Sequence, residues 1–110
     1  MPISEKTAIA LEINEAVSRV VEGINPLKLV LFGSMASGEN KPESDVDLCV
    51  ISEKVASQSE EAVRVRKIMG KILFPVDILV FSRENFDKRK DIWGTIQYEV
   101  DKKGKILYER

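Results

Sequence analysis

The chain has 110 residues, no histidine, a single cysteine, 44% hydrophobic and 32% charged residues, and a formal charge of -1. This is the composition of an ordinary soluble globular domain spanning residues 1–110 around one core. It excludes Ser-His-Asp and Cys-His nucleophiles, most zinc centres and an internal disulfide.

In chain order, helical and strand-like patterns alternate without repeats or low-complexity segments. Glu5, Lys6, Glu12, Glu15 and Arg19 interrupt the N-terminal segment, so neither a signal peptide nor a membrane span is expected there. From Ser4 as N-cap, Ile9, Ile13, Ala16, Val17, Val20 and Ile24 recur at helical spacing, and Asn25-Pro26 ends the pattern. "LKLVLF" (27–32) reads as a buried strand, followed by a short "SMAS" turn and then "DVDLCVI" (45–51). In the second strand Val46, Leu48 and Val50 share one side, leaving Asp45, Asp47 and Cys49 on the other.

Ser57 and Glu60 resemble a capping box opening a helix to Ile72 through Ala62, Val65 and Met69. "VDILVF" (76–81) is a third strand. Ser82 caps a further helix, with Phe81 and Phe86 spaced as a hydrophobic staple. A last helix is expected through Trp93, Ile96 and Val100 to Gly104, and "KILYE" can add an edge strand. The fold class is α/β (α+β): a small mixed sheet of three to four strands packed with helices.

The chemistry-bearing residues cluster on the strands. Side chains two apart on a strand share a face about 7 Å apart, so Asp45 and Asp47 can both reach a divalent ion. Asp77 lies inside the next apolar run, where an unpaired charge is costly and a metal or catalytic role becomes plausible. Three carboxylates on neighbouring strands make a two-metal site suited to Mg²⁺ or Mn²⁺. Gly33 and Ser34, at the end of the first strand, can admit a phosphate to free backbone N–H groups and a hydroxyl.

Each feature also has a purely structural reading. Gly-Ser pairs are commonly turns, alternating acids commonly mark the wet face of a strand, and Asp77 alone could be an ion-paired edge residue. Cys49 reads as a small core residue, and "RVRKIMGK" (64–71) as the wet face of a helix. Trp93, Tyr98 and Tyr108 read as packing groups rather than a base-stacking platform. With a charge of -1, direct nucleic-acid binding is not expected.

Taken together, Gly33-Ser34, ten intervening residues, Asp45-x-Asp47 and the "PVDILVF" strand carrying Asp77 resemble the signature of the DNA polymerase beta-like nucleotidyltransferase superfamily. The resemblance is closest to its minimal nucleotidyltransferases. It implies that Asp45, Asp47 and Asp77 ligate two Mg²⁺ ions and that Gly33 and Ser34 hold the β and γ phosphates of ATP. Asp77 would also act as general base while an acceptor hydroxyl attacks the α-phosphorus. Relatives often carry arginines after Gly-Ser, where this chain has Met35 and Ser37; Lys41 can compensate in part. The resemblance further implies an antitoxin whose partner is a small helical HEPN-type toxin, and the single cysteine fits a reducing cytoplasm. Two alternatives stand beside it: a non-catalytic module that neutralises a partner by covering it, and a subunit of an enzyme modifying a small, antibiotic-type molecule.

Overall fold

The structure, a computed structural model, describes residues 5–33, 46–72 and 75–110, with side chains from Leu11 onward. Its elements are α1 (Glu5–Ile24), β1 (Lys28–Phe32), β2 (Val46–Ser52), α2 (Gln58–Met69), β3 (Val76–Ser82), α3 (Arg83–Arg89), α4 (Ile96–Lys103) and β4 (Lys105–Glu109). The expected cap Ser4 and the "SMAS" turn lie outside the described residues. The sheet order is β3-β2-β1-β4. Strand β1 is antiparallel to both of its neighbours, whereas β2 and β3 run parallel, joined by the α2 crossover.

Helices cover both faces of this mixed sheet. On one, Ala16 and Val20 of α1 and Val65 and Met69 of α2 pack on Leu29, Leu31, Val46, Leu48, Val50, Val76 and Val80. That is the stripe expected from helical spacing in α1 meeting the even-numbered side of β2. On the other, Phe86 of α3 and Val100 of α4 cover Val30, Cys49, Ile51 and Phe81. The odd-numbered side of β2 is therefore not a solvated face. Cys49 and Ile51 are buried there, and this second, smaller core exists because α3 folds back over β2 and β3 and α4 over β1.

Local signals account for most boundaries. Asn25 adopts φ 54° and its N–H bonds Val21 O at 3.1 Å, closing α1 before Pro26. Ser57 accepts a hydrogen bond from Glu60 N, and Ser82 one from Asn85 N. Phe81 and Phe86 meet in the second core as the staple spacing predicts. Two expectations are corrected. Helix α2 stops at Met69 rather than Ile72, because Gly70 caps it with an N–H bond to Lys67 O. Trp93 is outside any helix and 83% exposed, because the Thr95 side chain caps α4 by accepting from Tyr98 N, so that the helix starts only at Ile96.

Leu29 is fully buried at the centre of the sheet. Leu29→Ala is expected to lower unfolding stability by about 2–5 kcal/mol, measured as a shift of the urea midpoint at unchanged m-value.

Candidate active site

Burial along the two parallel strands changes steeply on one face. Asp77 is exposed, Leu79 half-buried and Phe81 buried; beside them Asp47 is half-buried and Cys49 and Ile51 are buried. Helix α3 roofs the carboxyl-terminal halves of β2 and β3 while α4 lies over β1, which among the described residues leaves an opening towards the amino-terminal ends of β2 and β3. The two aspartates stand in that opening. Asp47 and Asp77 are register partners across the parallel pair, so their carbons leave the same face from strands about 5 Å apart. On the other side of β2, Asp47 pairs with Phe32, the last residue of β1.

Gly33 follows Phe32 and completes the arrangement. Its φ is +82°, in the left-handed region, and a Cβ built on it would overlap Oδ2 of Asp47. A side chain at this position would thus suffer both backbone strain and a collision with the carboxylate. The glycine is required because β1 must turn away beneath the Asp47 carboxylate. Ser34 and Asp45, the other two expected site residues, lie outside the described residues, as do Met35, Ser37 and Lys41. Of the expected set, the structure therefore brings together Gly33, Asp47 and Asp77.

The donor chemistry fits a hard divalent cation. Two carboxylates in register on adjacent strands repel each other, and oxygen-only donors favour Mg²⁺ or Mn²⁺ over thiolate-seeking metals. Asp77 has no ion pair or side-chain hydrogen bond among the described residues, so its oxygens face solvent. The Gly33 cradle leaves room for the Asp47 carboxylate to project into the same space. No group of three potential ligands is assembled among the described residues; Asp45, two residues before Asp47, is the sequence's candidate for the third.

Cys49 lies two residues from Asp47 on the same face but beneath the roof. It is fully buried, and desolvation pushes its thiol up to about 12. A protonated thiol without access is not a nucleophile, which bears out the reading of Cys49 as a core residue. One contact was not legible in the sequence. The Arg66 guanidinium, expected only to line the wet side of α2, donates to Val76 O at 2.6 Å, one residue before Asp77. No sequence periodicity signals a bond from a helix to the backbone of a strand ten residues on.

A cleft of about 490 Å³ lies at the other end of the sheet, lined by Lys28, Ile51, Arg83 and Glu109 among others. Four residues separate Ile51 from Asp47 on β2, about 13 Å of strand, so this cleft takes no part in the aspartate site.

The chain matches the model of the nucleotidyltransferase domain family over residues 12–107, nearly its whole length, and it belongs to that family. A crystal structure from Sulfolobus solfataricus, of a protein provisionally named a nucleotidyltransferase, superposes with a TM-score of 0.68. The match covers 96% of this chain and 84% of that one at 20% identity, and it shows a shared fold. No curated protein matches the sequence significantly. The described helices include none long and apolar enough to cross a membrane.

Two outcomes are expected from this geometry. Gly33→Ala should displace Asp47, weakening Mn²⁺ binding at least several-fold by calorimetry and lowering stability by about 1 kcal/mol or more. The Cys49 thiol should resist alkylation in the native protein and react only after unfolding. Since its folded pKa is raised, the protonated thiol favours the folded state below about pH 9, and this contribution is lost as pH rises towards about 12. The urea midpoint of the wild type should therefore fall more steeply above pH 9 than that of Cys49→Ala.

Proposed function

We propose that this chain transfers a nucleoside monophosphate, AMP from ATP, to a hydroxyl group on a partner protein in a Mg²⁺-dependent reaction. The observation that carries this reading is the in-register Asp47–Asp77 pair on adjacent parallel strands, opened to solvent beside the Gly33 turn. Asp47 and Asp77, with Asp45, would hold Mg²⁺, and Gly33 with Ser34 would receive the terminal phosphates. Bound there, the metal supplies positive charge that neutralises the triphosphate and polarises the phosphorus under attack.

The chain's own groups then have limited tasks. The Asp77 carboxylate, exposed at the sheet edge, can accept the proton of an incoming hydroxyl. The hydroxyl oxygen bonds to the α-phosphorus as the α–β phosphoanhydride bond breaks, and pyrophosphate leaves. With no histidine in the chain, a carboxylate is the natural base.

A protein acceptor suits a domain this small. Among the described residues the aspartates lie in an open half-face rather than an enclosed pocket, a shape that serves a substrate presented by another macromolecule better than a small free one. Exposed Ile92, Trp93 and Ile96 supply apolar surface of the kind that anchors protein partners. The partner class proposed is that of the minimal nucleotidyltransferases: a small helical HEPN-type toxin that the chain, as antitoxin, inactivates by adenylylation.

Label transfer from α-labelled ATP with Mg²⁺ to a co-purified partner tests the reading. Wild type should label the partner, while Asp47→Asn and Asp77→Asn should each reduce the rate by at least about 10²-fold without dissociating the complex. Undiminished labelling by either variant would refute the assigned roles. A stable, neutralised but unlabelled complex would show that covering the partner is sufficient.

A further inference from the structure

Strand β3 forms one edge of the sheet, with β2 on one side and no strand on the other. Outward-facing backbone groups on such an edge need other partners, and here α2 supplies two. Gln58 Nε2 donates to Val80 O at 3.0 Å, and Arg66 Nη2 donates to Val76 O at 2.6 Å. The spacing is commensurate. Eight residues of helix rise about 12 Å, and four residues of strand span about 13 Å, so the crossover helix, running back along β3, meets alternate outward carbonyls with one side chain near each end.

The two bonds have unequal consequences for the site. Val80 lies three residues beyond Asp77, towards the carboxyl-terminal end of β3. Val76 O belongs to the peptide unit that continues into Asp77 N. In a trans peptide the carbonyl and the following N–H point in opposite directions, so Arg66 holds from outside the same rigid plane whose N–H faces β2. On the far side of this segment, Val46 N donates to Pro75 O at 3.0 Å. Asp77 itself is exposed and has no side-chain partner among the described residues, so its backbone is what sets the direction in which its Cβ leaves the strand. The short, charge-assisted bond from Arg66 adds a constraint on that backbone from the outer edge, opposite the ladder to β2.

We infer that Arg66 is the positioning residue of the aspartate pair: by clamping the Val76–Asp77 peptide it sets the angle at which Asp77 meets Asp47, and hence the affinity of the pair for a divalent cation. The inference rests on the metal-dependent reading of the site. Arg66 touches neither metal nor nucleotide in this role. Lysine, with a single point-like ammonium in place of a planar fork, reproduces the bond only in part.

Mn²⁺ alone, titrated into the full chain and followed by the loss of the free-ion EPR signal, tests it on wild type, Arg66→Ala, Arg66→Lys and Gln58→Ala, with urea unfolding of each in parallel. Arg66→Ala is expected to weaken Mn²⁺ binding about 10-fold, the scale on which groups that orient metal ligands act. Arg66→Lys should fall between it and wild type. Gln58→Ala removes the matching edge bond away from the aspartates, so it should lower the urea midpoint yet leave Mn²⁺ affinity within about twofold. Equal losses of affinity in Arg66→Ala and Gln58→Ala, or no loss in either, would make Arg66 an edge cap only and overturn the inference while leaving the metal site intact. Failure of folded wild type to bind Mn²⁺ would overturn the reading of the site itself, and the inference with it.

Discussion

The structure turns on holding two like charges side by side. Asp47 and Asp77 are register partners on parallel strands, so their carboxylates are neighbours by construction, and in a folded protein such proximity is a cost unless a cation offsets it. Parallel pairing has its own requirement: the chain must travel back outside the sheet between β2 and β3, and α2 is that return path. The crossover buries Val65 and Met69 against one face and so keeps helix and strand together while the opposite face carries the charges. Gly33 meets the last requirement, turning the end of β1 without a side chain that would occupy the Asp47 position.

The two faces of the sheet divide stability from chemistry, but not completely. The face under α1 and α2 is apolar from end to end. The face under α3 and α4 is divided along the strands, with Cys49, Ile51 and Phe81 in a second core and Asp47 and Asp77 beyond its margin. Two residues of strand, about 7 Å, separate a thiol whose ionisation burial suppresses from a carboxylate at the opening. A helix turn more of roof would bury the aspartates and make their charge prohibitive; a turn less would expose the second core.

The fold is shared at 20% identity with a solved structure that superposes with a TM-score of 0.68. Most side chains can therefore change while the fold persists. The nucleotidyl transfer proposed for this chain would ask chiefly for the correct register of its carboxylates, since a nucleotide with its metal brings much of the reactive chemistry itself.

The sequence by itself determined the elements and the identity of the chemical groups. Spacing in α1, the Ser57 and Ser82 caps, the Phe81–Phe86 staple and the Asn25-Pro26 stop are local signals, and each acts over a few residues, so each could be read without a fold. Asp47, Asp77 and Gly33 were legible for the same reason, as polar or flexible residues set in apolar runs. The even-odd split of β2 was half legible. Val46, Leu48 and Val50 were placed correctly, but the cover over Cys49 and Ile51 comes from helices more than thirty residues later in the chain. Only the tertiary structure decided that Asp47 and Asp77 are neighbours, because strand order and register are long-range choices among several pairings compatible with the same pattern. It alone assigned Arg66 to the backbone of Val76, since that bond depends on how a helix lies across a strand edge, and alternation of polar and apolar residues along the helix carries no record of it.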